Sequence, residues 1–382
     1  MPAQRGAGEH GRRLTSSVFR RTCFCVALCC QLGVGVAAKA AEEPVLNVFN
    51  WADYIAPETL SGFEKEYGIH VNYDLYDSTE IAESKLLSGS TGYDVVFHSY
   101  RYSARLIPIG IYRPLDRSRL PLWGNLDPWV LKMMDAYDPG NRFGVPYMWG
   151  STGFAYNFTM IKQRLPDAPL GSAAMIFDPK VVSKLADCGV TLLDEPTDTI
   201  PMVMLYLGHD PNSLDPDDLA EAEAQLKLVR PYIRYFSSAR MINDLPNEEV
   251  CVAMSWAGDY AQAKARAAEV GRDVDLRYTM PKEGSLIWVD GIFIPADAKH
   301  PDNAHLFLNY LMRPKVIARI SNLIHYANAN KASLPYVDPA IRNDPAVYPP
   351  EADRDRLYFG RIYGPKDERR RVRVWSRVKT GL

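Results

Sequence analysis

The stretch VLNVFNWADYIAPE, residues 45–58, decides the fold. The apolar run that opens it predicts a short buried strand, and the Pro-Glu pair that closes it is typical of the start of a helix. Trp51, Asp53 and Tyr54 therefore fall on a turn at the carboxyl end of a first strand, where open α/β sheets bind ligands. Two aromatic rings beside one carboxylate suit an organic cation. A helix cap formed by the Asp and a core position for the Trp are the structural alternatives.

The next hundred residues repeat this order of strand and helix. Hydrophobic periodicity predicts strands at 45–49, 69–75 and 93–97, and helices at 58–67, 78–87 and 103–109. Such alternation predicts βαβ units and a mainly parallel sheet. Its carboxyl edge would carry two loops, residues 51–54 and 99–102.

The pattern breaks at residues 146–153, which we interpret as a first crossing into a second lobe. Further strands are predicted at 190–193, 233–236, 250–254, 276–280 and 292–295, and helices at 181–185, 216–229 and 303–311. The tail at 368–379 mixes six basic residues with Val and Trp, which predicts a solvated amphipathic helix. The predicted division gives lobe 1 residues 45–150 plus 289–334, and lobe 2 residues 151–288 plus 335–382.

The amino terminus has the pattern of a secretory signal peptide. Five arginines precede an apolar segment at 23–38, which is followed by Ala38-Lys39-Ala40. We expect cleavage after Ala40, because the apolar segment is too short for a good membrane span. Lipidation at Cys29 or Cys30 is an alternative, although Leu28 is a poor residue to precede a modified cysteine.

Removal of residues 1–40 changes the charge and the cysteine content. The remaining chain has 38 basic and 45 acidic residues, a net charge of −7, which argues against nucleic acid as a partner and favours cations. Two cysteines remain, Cys188 and Cys251. In an exported protein they most simply form a disulfide, and two free buried thiols are the alternative.

Sequence patterns of enzymes are absent. The chain has no HExxH, no GxSxG, no Walker A loop and no GxGxxG after a strand, and its seven His have no metal-ligand spacing. We therefore expect a protein that is not an enzyme and uses no cofactor and no metal. A hydrolase with a pair of carboxylates is the alternative that acidic residues leave open.

Acidic side chains instead recur at the ends of predicted segments, mostly beside aromatic rings. Besides the opening turn, this occurs at residues 194–198, 256–259 and 288–290, and a further ring, Tyr326, lies in a polar run. Acids at both ends of a cleft with aromatic walls between them fit a ligand that has separated ammonium groups and an apolar spine.

Seven ordered motifs resemble the periplasmic polyamine-binding proteins of ABC importers, and the putrescine-binding branch is the most similar. The motifs are NWADYIAP at 50–57, GSTGYDVV at 89–96, PYMW at 146–149, NDL at 243–245, WAGD at 256–259, PKEG at 281–284 and YANANK at 326–331. The resemblance implies a type II periplasmic-binding-protein fold, in which two α/β lobes are joined by two crossovers. It also implies a disulfide between Cys188 and Cys251.

The resemblance further implies a set of ligand-binding residues. Carried over by position, they are Trp51, Asp53, Tyr54, Ser99, Asp198, Ser238, Trp256, Asp259, Trp288, Asp290 and Tyr326. Asp290 would hold one amine beside an aromatic box. Asp198 and Asp259 would serve the other end, Asp259 through water.

Five positions depart from the putrescine-binding pattern and bear on selectivity. Ala52 replaces a hydroxyl residue, and Asp198 replaces a Glu. Trp288 and Glu195 resemble the spermidine-binding branch, so we expect a pocket that accepts spermidine. Arg101 brings a cation near a site for cations; pointing inward it would repel an amine or pair with Glu195, but we expect it to point outward.

The predicted function is capture of a polyamine, putrescine and/or spermidine, in the cleft between the lobes. The resemblance implies a periplasmic monomer that delivers its ligand to an inner-membrane ABC permease. A sensor that reports polyamine occupancy through the same pocket is the alternative.

Overall fold

The computed structural model describes residues 42–52, 54–76 and 78–381. The predicted signal peptide and Asp53 therefore lie outside the described residues. The strands, in chain order, are β1 Val45–Trp51, β2 His70–Tyr76, β3 Val95–Ser99, β4 Gly144–Asn157, β5 Val190–Leu192, β6 Ile233–Phe236, β7 Val252–Trp256, β8 Leu276–Thr279, β9 Ser285–Phe293, β10 Ala327–Asn328 and β11 Leu357–Phe359.

Helices alternate with most of these strands. They are α1 Pro57–Tyr67, α2 Thr79–Leu87, α3 Tyr100–Leu106, α4 Pro128–Met134, α5 Phe158–Arg164, α6 Ala174–Phe177, α7 Pro179–Val182, α8 Pro196–Leu207, α9 Pro216–Val229, α10 Met241–Asp244, α11 Ala257–Glu269, α12 Pro301–Leu311, α13 Pro314–Ile324, α14 Pro339–Arg342 and α15 Pro365–Thr380. Short 3₁₀ helices lie at Arg117–Arg119, Pro121–Asn125, Arg230–Tyr232, Lys331–Tyr336 and Glu351–Arg356.

The strands are joined in the order β2-β1-β3-β9-β4-β7-β5-β6, with β8 and β10 beside β4 and β11 beside β9. The pairs β1 with β2, β1 with β3, β5 with β6 and β5 with β7 are parallel. β9 runs antiparallel to β3 and β4, and β4 runs antiparallel to β7. The first three strands are thus parallel, as predicted from their alternation with helices. The sheet as a whole is mixed, because the two long strands β4 and β9 return between the parallel sets.

Those two strands, β4 and β9, connect the two halves of the fold. The first part of β4 pairs with β9 as far as Ser151, and the part from Thr152 pairs with β7. β9 pairs with β11 from Ser285 to Ile287 and with β3 from Asp290 onward. The predicted architecture of two α/β lobes joined by two crossovers is confirmed, and both crossovers are extended strands.

Each lobe packs its helices over its own part of the sheet. One core, which includes Phe63, Phe97 and Phe307, lies under α1, α12 and α13. A second core includes Phe177 and Trp375 and lies under α6, α8, α9 and α15. A third combines residues of both lobes, among them Phe293 and Tyr260. Within the described residues, none of the helices is both long and apolar enough to span a bilayer.

The second lobe contains the predicted disulfide. Cys188 precedes β5 and Cys251 precedes β7, with their Cα atoms 5.5 Å apart and a disulfide between them. Because β5 and β7 are neighbours in the sheet, the bond ties together segments 63 residues apart in sequence. The pairing of these cysteines is confirmed.

The carboxyl-terminal helix α15 is amphipathic as predicted, but it is not solvated on all sides. Val374, Trp375 and Val378 are buried in the second core, and the Trp375 Nε1 donates to Asp194 Oδ1 at 2.9 Å. The basic residues lie mostly on the opposite face, although Arg371 is buried too. The tail therefore belongs to the second lobe.

Several predicted boundaries near the cleft were wrong. Residues 99–102 do not form a loop: Ser99 ends β3 and Tyr100 begins α3, three residues before the predicted helix. The chain also forms α8, which was not predicted because Pro196 and the internal Pro201 break the apolar pattern. Residues 288–290 lie inside β9, whose predicted start came too late.

Candidate functional site

A cavity of about 550 Å³ lies between the two lobes. All predicted ligand-binding and selectivity residues within the described part of the chain line it: Trp51, Ala52, Tyr54, Ser99, Arg101, Glu195, Asp198, Ser238, Trp256, Asp259, Trp288, Asp290 and Tyr326. The remaining predicted residue, Asp53, lies outside the described residues. Residues from both halves of the chain thus converge on one cavity.

At one end of the cavity lies the carboxylate of Asp290. It projects from β9, where Ser99 of β3 is its partner in the sheet. The Tyr54 hydroxyl donates to Asp290 Oδ2 at 2.8 Å, and both side chains are buried. Burial raises the pKa of Asp290 to about 7, and the hydrogen bond from Tyr54 opposes that rise. A cation entering this end would replace the water that the carboxylate has lost.

Three rings form a box beside Asp290. Tyr54 and Tyr326 lie with ring centroids 6.0 Å apart at an angle of 76°, and Trp288 lies 5.3 Å from Tyr326 at 70°. Trp288 shares a face of β9 with Asp290, because side chains two positions apart on a strand point the same way. The negative faces of such rings attract a cation.

Two glycines permit this close packing of rings. A Cβ at Gly258 would lie 2.3 Å from atoms of the Tyr326 ring, and one at Gly150 would lie 2.6 Å from the Trp288 ring. Gly258 belongs to the first turn of α11, directly after Trp256 ends β7. The Gly in the WAGD motif is therefore a steric requirement of the box.

Asp259 lies in the same first turn of α11 and is buried. The Tyr326 hydroxyl donates to Asp259 Oδ1 at 2.5 Å, so Tyr326 contributes both a ring to the box and a hydrogen bond to a second carboxylate. Burial raises the pKa of Asp259 to about 7, while the Tyr326 hydrogen bond and the charge of Arg266 oppose the rise.

Asp198, the third carboxylate, has a more polar environment. It lies in the first turn of α8 and its Oδ1 accepts hydrogen bonds from the Thr152 hydroxyl at 2.6 Å and from the Trp256 indole at 3.3 Å. A helix amino terminus also favours negative charge. This carboxylate is held in place by neighbours from β4 and β7.

Arg101 lines the cavity, so the expectation that it points outward was wrong. Its Nη1 donates to the backbone oxygen of Thr197 at 3.0 Å. Because α3 begins at Tyr100, Arg101 lies in a helical first turn and is carried towards α8 across the cleft. The Tyr102 hydroxyl also approaches the Thr197 hydroxyl, at 3.4 Å.

Two cavity residues on α11 were missed from the sequence. Gln262 and Arg266 follow Asp259 at spacings of three and seven, which places them on one face of the helix. The side chain of Arg266 also contacts Asn243, another lining residue. Helical periodicity counted from Asp259 would have found both. Tyr137, which also lines the cavity, has no such signal, because the fold alone brings it there.

The geometry defines a class of protein. Two lobes with a chamber between them, acids at separated points and aromatic walls are the features of a binding protein for a small cationic solute. Within the part of the chain that the structure describes, no group of three or more His, Cys, Asp and Glu side chains could hold a metal.

Comparisons with known proteins place the chain in a family. Residues 58–349 match the bacterial extracellular solute-binding proteins, and the chain belongs to that family. It is 46% identical over 352 residues to the putrescine-binding periplasmic protein PotF of Escherichia coli (strain K12), covering 92% of this chain and 95% of that one. It is 43% identical over 352 residues to a putrescine/agmatine-binding protein of Pseudomonas aeruginosa, covering 92% and 96%.

A solved structure has the same fold. The spermidine/putrescine ABC transporter substrate-binding protein PotD of Streptococcus pneumoniae superimposes with a TM-score of 0.75 at 26% identity, over 88% of this chain and 99% of that one. The predicted type II periplasmic-binding-protein fold is thereby confirmed.

Proposed function

We propose that the protein captures a polyamine, putrescine and/or spermidine, in the cavity between its lobes and delivers it to an ABC importer. The observation that carries the proposal is the pair of buried carboxylates, Asp290 and Asp259, that flank a box of three aromatic rings. Relatives at 43–46% identity that are named for putrescine binding support the same ligand class.

The energetics favour a cation with an apolar spine. A hydrogen bond between an ammonium group and a carboxylate contributes about 1.5–3 kcal/mol, and a desolvated cation–π contact adds roughly 2 kcal/mol. The methylene chain of a polyamine would lie against Trp51, Trp256 and Trp288, which line the cavity between the acids. Asp290 would hold one amine, and Asp198 and Asp259 would serve the other end.

The family relationship supports the cellular context that completes this proposal. The mature protein is a periplasmic monomer, released by cleavage near Ala40, and its partner is an inner-membrane ABC permease. Lobe 1 comprises residues 45–150 plus 289–334, and lobe 2 comprises residues 151–288 plus 335–382. The lobes close on the ligand by a hinge motion along the two crossover strands, and no bond of the ligand is broken.

Calorimetric titration of the mature protein with putrescine, cadaverine, agmatine and spermidine tests the proposal. We expect one ligand to bind per chain, with a rise in melting temperature for the ligands that bind. A matched titration with 1-aminobutane, which has one ammonium group, should give much weaker binding. Absence of both heat and thermal shift with all four polyamines would overturn the proposal.

A further inference from the structure

Arg101 contributes a positive charge to a cavity that we propose binds cations. The residue as a whole is half-buried, and several neighbours constrain the position of its guanidinium group. Nη1 donates to the Thr197 carbonyl oxygen at 3.0 Å, and the group lies 6.0 Å from the Tyr102 ring and 5.5 Å from the Tyr363 ring. A Cβ at Gly360 would lie 3.0 Å from Nη1, so the chain at Gly360 passes directly against it.

These contacts come from opposite sides of the cleft. Arg101 itself belongs to α3, which packs against β3 and β9, whereas Thr197 belongs to the first turn of α8. The hydroxyl of Tyr137, which comes after α4, donates to the carbonyl oxygen of Gly360, the residue that lies against Arg101. The guanidinium is therefore fixed at the cavity wall beside the helix turn that carries Asp198.

The hydrogen-bonding pattern leaves the charge of Arg101 available to the cavity. Among the described residues, its hydrogen bond goes to a carbonyl oxygen and not to a carboxylate. Burial alone would lower the pKa of Arg101, but the nearby phenols and Asp198 outweigh that effect and raise it. Arg101 thus stays charged and faces the Asp198 end as a permanent cation.

The charge balance of the cavity points in the same direction. Within the described residues, its wall carries four carboxylates, Glu195, Asp198, Asp259 and Asp290, and two guanidinium groups, Arg101 and Arg266. When all six are ionised the wall has a net charge of −2, without counting Asp53, which is not described. Arg101 therefore offsets one carboxylate charge on a wall that would otherwise attract a further ligand ammonium group.

We propose that Arg101 is a specificity-determining residue, whose fixed guanidinium takes the place of a third ligand ammonium and selects diamines over triamines. This inference rests on the proposed function and narrows it, against the expectation that the pocket accepts spermidine. The physical basis is repulsion: a third ligand ammonium group brought next to the Arg101 guanidinium in the cavity is disfavoured, and a ligand with only two charges avoids this repulsion.

The test varies the charge on the protein and on the ligand together. N-butylputrescine has the chain of spermidine with a methyl group in place of one terminal ammonium group. We expect wild-type protein to bind spermidine at least about tenfold more weakly than N-butylputrescine, because only spermidine brings a third charge. In Arg101→Met this preference should disappear or reverse, whereas Arg101→Lys, which keeps the charge, should retain it.

The matched control is Arg105→Met. Arg105 lies one turn further along α3, forms an ion pair with Glu83 at 2.7 Å and does not line the cavity. The Arg105→Met variant loses the same charge as Arg101→Met, and it should leave the ratio of the affinities for spermidine and N-butylputrescine unchanged.

The outcomes separate the inference from the proposed function. If Arg101 only holds the lobes together, Arg101→Met will weaken putrescine, spermidine and N-butylputrescine by the same factor, and the inference is overturned. If Arg101→Met does not fold, tighter binding of spermidine than N-butylputrescine by wild-type protein overturns it equally. If wild-type protein binds none of the three ligands, the proposed function itself fails.

Discussion

Asp290 and Asp198 present their carboxylates to the cavity in opposite ways. Asp290 is buried beside aromatic rings, Tyr54 is its hydrogen-bond donor among the described side chains, and burial raises its pKa to about 7. Asp198 accepts hydrogen bonds from Thr152 and Trp256 at the start of a helix, and a fixed arginine lies nearby. The first carboxylate is destabilised in the empty protein, whereas the second is already stabilised by its neighbours.

Because of this difference, we expect the two carboxylates to contribute differently to ligand binding. A desolvated carboxylate gains most from a cation that arrives, so Asp290 should supply more of the binding free energy than Asp198. A carboxylate that is already hydrogen-bonded gains less. The Asp198 end should therefore contribute mainly to the choice among ligands, through the shape and charge of its surroundings.

The largest expected effects come from replacing Asp290 and Asp198, one at a time, by asparagine. We expect Asp290→Asn to weaken diamine binding by about a hundredfold or more, because loss of a buried charged partner costs 2–5 kcal/mol. Asp198→Asn should weaken it by only about tenfold, because the helix terminus and hydrogen-bond donors that remain still favour an acceptor. Calorimetric titration of both variants measures the two losses.

Thermal unfolding at pH 8 without ligand supplies the control for these variants. Because the folded pKa of Asp290 lies above its unfolded value, ionising it costs stability as the pH rises through about 7. Asp290→Asn should therefore raise the melting temperature at pH 8, whereas Asp198→Asn should not. A lower melting temperature for Asp290→Asn with binding retained would make Asp290 a structural residue.

The pH dependence of binding should reflect the two carboxylates whose pKa values burial raises. Asp290 and Asp259, both with pKa values near 7, must ionise to pair with ammonium groups. Affinity should therefore fall between pH 8 and pH 6 by about tenfold for each carboxylate that has to lose a proton, with protons released on binding.

Titration in buffers of different ionisation enthalpy counts those protons. Asp259→Asn removes one of the two groups and should give a shallower fall in affinity with decreasing pH. If the affinity of wild-type protein does not change between pH 8 and pH 6, the buried carboxylates do not carry the binding.

The two ends also differed in how well the sequence predicted them. The side of the cavity around Asp290 follows from local patterns: a predicted strand at 45–49 that leads into the turn at Trp51, a spacing of two between Trp288 and Asp290, and an aromatic residue in a polar run. Periodicity and composition express such patterns directly. That these separate segments form one pocket was inferred from the resemblance to a known family.

At the other end, the sequence predicted the residues but not their setting. Asp198 was placed after a strand, yet it lies on α8, whose two prolines hide its helical pattern. The orientation of Arg101 was wrong because it depends on where α3 begins and on Thr197 across the cleft, a contact between residues 96 positions apart. Local propensity carries no information about such contacts.

A substitution at Gly258 tests whether the packing of the Tyr326 ring matters for ligand binding. In Gly258→Ala the new Cβ would meet the Tyr326 ring at 2.3 Å, displacing the ring from the box and from Asp259. We expect a loss of about 1–3 kcal/mol in the free energy of unfolding and roughly tenfold in diamine affinity. Denaturant unfolding and calorimetry measure the two effects.

Gly171→Ala is the matched control, because a Cβ there would meet no atom within 4 Å. It should leave affinity unchanged. If Gly258→Ala binds diamines as tightly as wild-type protein, the position of Tyr326 is not important for recognition.

The smallest expected effect concerns Trp288, which borders the box on the side away from Tyr54. Its ring packs against Tyr326, and its buried Nε1 has no hydrogen-bond partner within the described residues, so Trp288→Phe removes ring area without removing a hydrogen bond. We expect a loss of less than about fivefold in affinity, since Phe keeps a weaker cation–π face. The shorter ring should also shift the preference towards putrescine, if Trp288 senses ligand length. Competition between putrescine and spermidine measures that shift, and an unchanged ratio would assign length selection to the Arg101 end alone.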